Sequence, residues 1–125
     1  MKYFVSLETI KMFAEVAGDP NPIHQDEVIA KEMGLEGPIA HGMFVYSYLL
    51  RCLDLWLKDF NQTNGTSWNV AETKCRFHQY VLIGDEYETS VEIADQKEDQ
   101  IKMNLNFTNL KGERLTNVVA VLRKI

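Results

Sequence analysis

The hydrophobic period of this chain changes once, and that change constrains the fold more than any other feature. Up to about Phe60 the apolar residues recur at helical spacing; beyond Ser67 they turn to alternation. The longest helical stretch, Gly42 to Phe60, is apolar nearly all round in its first two turns (Met43, Phe44, Val45, Tyr46, Tyr48, Leu49, Leu50), which predicts burial on most sides. Its second half is amphipathic, with Leu53, Trp56, Leu57 and Phe60 inward and Arg51, Asp54 and Lys58 outward. Farther on, Tyr87, Thr89, Val91 and Ile93 alternate with acidic and polar residues, and so do Ile101, Met103, Leu105 and Phe107. Val118 to Leu122 is a continuous apolar run, hence a better-buried strand, and Ser67 to Phe77 reads as one more strand. Asn61–Thr66, Asp95–Asp99 and Lys111–Glu113 read as connectors. Helices followed by antiparallel strands predict an α+β domain, a curved antiparallel sheet wrapped around one long central helix. One sheet on one helix leaves an edge and apolar surface uncovered, so a homodimer, or a higher assembly of dimers, is expected.

The first forty residues are punctuated. Ser6 is the expected N-cap of a helix running to about Val16, with Ile10, Phe13, Ala14 and Ala17 at helical spacing. Gly18 ends it, and Pro20 and Pro22 push Asp19 and Asn21 toward extended backbone. A second short helix is predicted from Asp26 to Met33, with Asp26 and Glu27 in its first turn and Gly34 as its stop. Gly37-Pro38 makes a further turn.

Composition narrows the function classes. At 125 residues and 46% hydrophobic, the chain fits one domain with a real core. A formal charge of −5 with no basic block argues against nucleic-acid binding. No membrane span is expected, because Arg51, Asp54, Lys58 and Asp59 interrupt the longest apolar stretch. Met1 to Ser6 has no signal-like apolar run, and Cys52 and Cys75 form neither a C-x-x-C pattern nor a disulfide framework. A cytoplasmic protein is therefore expected, and the three Asn-x-Thr sequences at Asn61, Asn64 and Asn106 read as chance.

The chemistry concentrates in Gly18-Asp19-Pro20-Asn21-Pro22-Ile23-His24 and, seventeen residues later, His41-Gly42-Met43. On one helix, Asp19 and His24 would point about 140° apart; the two prolines allow a loop that turns both the same way. Gly42 opens the long helix, where unpaired amides and the positive end of the dipole can receive an oxyanion. Plainer readings compete: Asp19 capping a turn, His24 starting the next helix, Gly42 giving close packing, His41 fixing the loop. His24, Asp26 and His41 suggest a metal only superficially, since no third neutral ligand is suitably spaced. No metal is expected. Cys52 reads as a core residue, Tyr46, Tyr48 and Trp56 as core packing, and His78 as surface.

The block Phe13-Ala14…Gly18-Asp19…Asn21-Pro22…His24…Asp26…Ala30, followed by Ile39-Ala40-His41-Gly42-Met43, resembles the signature of MaoC-like (R)-specific enoyl-thioester hydratases. Arg76-Phe77 and Gly84-Asp85 extend the likeness over nearly the whole chain, as a single MaoC-like domain over residues 1–125. The resemblance implies a hot-dog fold and a lyase that reversibly hydrates trans-2-enoyl thioesters to (3R)-3-hydroxyacyl thioesters, a step of fatty acid metabolism. By position it implies Asp19 as principal base, His24 sharing the water, Asn21 supporting the loop or the histidine, and the Gly42 amide as oxyanion contact. His41 would touch substrate or support the loop. The thiol carrier would be coenzyme A or acyl carrier protein, as part of the substrate, with no other cofactor. The sequence departs from the family at Tyr80, where proline is frequent, and at Leu50, where some relatives carry serine; its segment ahead of the first helix is short, which implies a stunted first strand. A hot-dog thioesterase and a non-catalytic acyl-thioester-binding subunit of a heteromeric dehydratase are the competing readings.

Overall fold

The computed structural model describes all 125 residues. Strand β1 (Lys2–Phe4) leads into helix α1 (Leu7–Ala17), a one-turn 3-10 helix (Pro22–His24), the short helix α2 (Glu27–Glu32) and the long helix α3 (Gly42–Asn64). Four strands follow: β2 (Trp68–Phe77), β3 (Glu86–Gln96), β4 (Gln100–Asn109) and β5 (Arg114–Lys124). The five strands form one antiparallel sheet in the order β1-β3-β4-β5-β2. β1 has three residues, as stunted as its short sequence implied.

The period-2 strands resolve into rows that line the inner face. Thr89, Phe107, Thr116 and Phe77 lie across the sheet from β3 to β2, and Val91, Leu105, Val118 and Cys75 form the next row. Val45, Leu49, Leu53 and Leu57 of α3 join Met103, Leu105, Phe107, Val118 and Leu122 in one core. Fully burying a side chain of this kind contributes roughly 1.5–3 kcal/mol. Burial of α3 is therefore what the sheet is curved to achieve. The unbroken apolar run of β5 follows from its central place, between β4 and β2, which leaves outward Val119 and Val121 only half exposed.

Three expectations need correction. The first turns of α3 are not covered on most sides: Val45 and Leu49 are buried, Phe44, Tyr46, Tyr48 and Leu50 only partly, and Met43 is 58% exposed. The sheet covers one side of the helix and Phe13 of α1 packs edge-on against Phe44, which still leaves Met43 uncovered. Second, α3 runs past Phe60 to Asn64, because Asn64 bonds back to the Phe60 carbonyl and left-handed Gly65 closes the helix. The polar stretch that looked like a loop is the helix's exposed last turn. Likewise Asp95 and Gln96 belong to β3, so that connector is shorter than expected. No helix is long and apolar enough to cross a membrane.

Candidate active site

The site is assembled by three turns. Gly18 ends α1 in the left-handed region (φ 69°), where an L side chain is disfavoured, and its N–H and that of Asp19 both return to the Ala14 carbonyl. This fixes Asp19 immediately beyond α1. Its Oδ1 accepts the Asn21 amide at 3.4 Å, and Asn21 Oδ1 in turn accepts the Ile23 amide at 3.2 Å. Two successive side-chain turns thus shape the Pro20–Pro22 loop and start the 3-10 helix that delivers His24. Asp26 then caps α2, accepting the Val28 and Ile29 amides.

The third turn ties this loop to the sheet. Ile39 and Leu82 form a lone antiparallel bridge, flanked by Ala40 N–H to the Val81 carbonyl and Ile83 N–H to the Pro38 carbonyl. The Ile39 carbonyl lies 2.7 Å from His24 Nδ1. A carbonyl can only accept, so Nδ1 carries the proton and Nε2 keeps a lone pair. His24 is 8% exposed, while the Asp19 side chain is 51% exposed and reaches solvent.

His41, 3% exposed, lies deeper than either. Its ring stacks on His24, centroids 3.6 Å apart, and its Nε2 is 3.3 Å from the Asp19 carbonyl and 3.9 Å from Asp19 Oδ2. One ring nitrogen from each histidine and an Asp19 carboxylate oxygen lie within 4.8 Å of one another. That spacing is metal-like, but rings only 22° from parallel and 3.6 Å apart cannot both aim an in-plane lone pair at one ion. The arrangement suits shared protons better than shared metal. Burial lowers the His41 pKa, and the His24 charge adds to that; the Asp19 carbonyl and carboxylate pull it back up.

Gly42 follows His41 as the first residue of α3. The cap residue His41 makes no side-chain bond to the helix, and no acceptor in the chain takes the Gly42 or Met43 amides. The helix start is therefore open to a ligand's oxygen. Gly42 has a packing reason too: a Cβ there would sit 3.1 Å from the Phe77 ring. Beyond Phe77 a cavity of about 1010 Å³ opens, walled also by Ile39, Leu82, Tyr87 and Leu115. It adjoins the site without including Asp19, His24 or Gly42.

Five residues singled out in the sequence are thus gathered here: Asp19, Asn21, His24, His41 and Gly42. Cys52 lies apart, buried on α3, and His78 is exposed beyond β2. Sequence reasoning missed Phe13, whose ring lies 5.0 Å from that of His41, and Phe77 against Gly42. Phe13 was legible as part of a helix's apolar face and of the family block, but not as a neighbour of His41, and nothing in the sequence marked Phe77 as a neighbour of residue 42.

The chain is 32% identical over 84 residues to the fatty acid synthase subunit β of Saccharomyces cerevisiae, matching 67% of this chain but 4% of that protein, so it spans only a small part of that relative. It is 28% identical over 115 residues to the 3-hydroxybutyryl-CoA dehydratase of Methylorubrum extorquens, covering 92% of this chain and 69% of the relative. The structure of an (R)-hydratase from Aeromonas caviae superposes with a TM-score of 0.79 at 24% identity, over 100% of this chain and 92% of that one. That likeness establishes the expected hot-dog fold. The family model described as "MaoC like domain" matches residues 2–113, nearly the whole length, and the chain belongs to that MaoC-like domain family.

Proposed function

We propose that this protein reversibly hydrates a trans-2-enoyl thioester, carried on coenzyme A or acyl carrier protein, to the (3R)-3-hydroxyacyl thioester. The observation that carries the proposal is the meeting of Asp19 with two histidine rings, within 4.8 Å, at the uncapped start of α3. The activity named for the dehydratase relative supports the same reading. With the His24 Nδ1–H committed to Ile39, Nε2 accepts one hydrogen of a water and Asp19 the other. The water oxygen keeps a lone pair for the β-carbon. As the C–O bond forms, the π electrons move onto the thioester oxygen, where the Gly42 amide and the helix dipole stabilise the charge. The proton taken by Asp19, the principal base, or shared through His24 returns to the α-carbon. All atoms of one water end in the product and no electrons leave. The thioester supplies the activation, so neither metal nor redox cofactor takes part in the proposed steps. Asn21 holds the loop through its side-chain turn.

The working form we propose is a homodimer. β2 presents ten residues with an unpaired outer edge, and Val70, Phe77 and Met43 remain exposed beside it or at the start of α3. A second copy paired along β2 would cover both liabilities. Light scattering checks it; a monomer at working concentration refutes it.

Loss of enoyl absorbance with crotonyl-CoA and longer enoyl-CoAs tests the activity. Turnover by the wild type, about 10²–10⁴-fold slower in Asp19→Asn, is expected. Equal rates for the two at every chain length sink the proposal. Free thiol release instead points to a thioesterase, and activity only on adding a second hot-dog chain points to a subunit of a heteromer.

A further inference from the structure

His41 touches more parts of the site than any catalytic residue proposed above. Its ring stacks on His24 at 3.6 Å and meets Phe13 of α1 at 5.0 Å. Its Nε2 lies against the Asp19 carbonyl, and its own backbone starts α3 one residue before Gly42. Since the Asp19 carbonyl can only accept, Nε2 carries the proton and Nδ1 a lone pair. That Nδ1 is buried and has no partner.

We infer that His41 is the positioning residue of this site: as an uncharged ring protonated at Nε2, it holds the Asp19 main chain and the His24 imidazole in register, and acid releases that hold. The inference rests on the hydratase reading of the same residues. A bare buried lone pair is costly, and a proton on it would place a charge out of water beside a second imidazole. The titratable groups acting on the ring are Asp19 and His24; α1 presents only uncharged Phe13. With the loop open, His41 would titrate near the ordinary value of about 6.5. With the loop closed, burial holds its pKa lower. As pH falls through the ordinary value, the open form takes a proton that the closed form refuses, and the closed arrangement loses stability. Tight stacking thus makes one neutral ring responsible for the separation of the two acceptors, on which oriented attack by water depends.

Two substitutions separate its contacts. His41→Phe keeps an aromatic ring on His24 and removes the Nε2–H; His41→Gln keeps a donor of similar reach and removes the stack. Each is expected to lower kcat by about tenfold or more with KM changed less than about threefold, since binding is untouched while the geometry of the Asp19–His24 dyad is lost. Ring-nitrogen NMR of the wild type needs no turnover. It should show His41 as a single Nε2–H tautomer taking its proton below about 6.5, and His24 as the Nδ1–H tautomer; in His41→Gln, where no ring holds the imidazole against the Ile39 carbonyl, the His24 signal should become a tautomer mixture. Either variant, folded, with kcat within about twofold of wild type overturns the inference, as does His41 titrating at or above the ordinary value. If neither variant folds, the wild-type ring titration alone decides. A wild type with the NMR signature but no turnover of any enoyl thioester overturns the hydratase reading and leaves the His41 coupling standing.

Discussion

The two ends of α3 treat their backbone groups in opposite ways. At the C-terminus Gly65 turns left-handed and sends its N–H to the Asn61 carbonyl, where Thr66 N–H also arrives. The Asn61 side chain accepts from Thr66 Oγ1 and the Trp68 amide and donates to the Trp68 carbonyl. Three side-chain hydrogen bonds lock the turn from α3 into β2. At the N-terminus the cap residue makes no side-chain bond to the helix, and the first two amides meet no acceptor. A helix capped so fully at one end and left open at the other has two distinct ends: the closed end contributes stability, and the open end leaves its donors free, as the proposed oxyanion contact needs.

Four substitutions try to break that division. Asp19→Asn, at the open end, carries the largest expected effect: activity falls by about 10²–10⁴-fold while the thermal midpoint stays put, because the side chain is half exposed. An equal loss in activity and stability, read by calorimetry beside the enoyl assay, would show the ends are not separable. Asn61→Ala, at the closed end, removes three hydrogen bonds and should cost about 3 kcal/mol in urea unfolding, given roughly 1 kcal/mol net per hydrogen bond, with kcat unchanged. A fall in kcat there would mean the turn into β2 also positions the site.

Gly42→Ala tests the double use of the glycine. Its methyl would press on Phe77, and activity should drop about tenfold as the approach to the amide closes. Adding Phe77→Ala relieves the clash and should not return the activity; full rescue would reduce Gly42 to a packing residue. The smallest effect is expected from Asp26→Ala, about 1 kcal/mol through loss of the α2 cap. Because α2 lies after His24 and off the dyad, kinetics at a temperature well below the midpoint should match wild type.

Legibility followed the range of the interactions. Gly18, Pro20 and Pro22 act on their own neighbours, so the end of α1 and the loop carrying Asp19 and His24 were readable. The alternation of β3 and β4 was readable because one face meets the core and the other meets water. The end of α3 was misread, since its last turn faces solvent and carries no apolar signal; only the Asn64 back-bond and Gly65 extend it. The half-covered first turns of α3 were misread for the opposite reason: an apolar surface that the chain itself only partly covers looks in sequence like a buried one. The stack of His41 on His24 joins residues seventeen apart through a bridge to Leu82, which no local pattern encodes.

By itself the sequence determined the element types, the α+β class, the family and the candidate residues on which the proposed chemistry rests. These depend on period, turn residues and a compact motif, all written within short stretches. Tertiary structure alone decided which nitrogen of each histidine holds its proton, how deeply His41 lies, and that Phe77 occupies the space Gly42 leaves free. Those outcomes depend on carbonyls and rings brought in from distant elements, and a proton's location is set by the acceptor it meets.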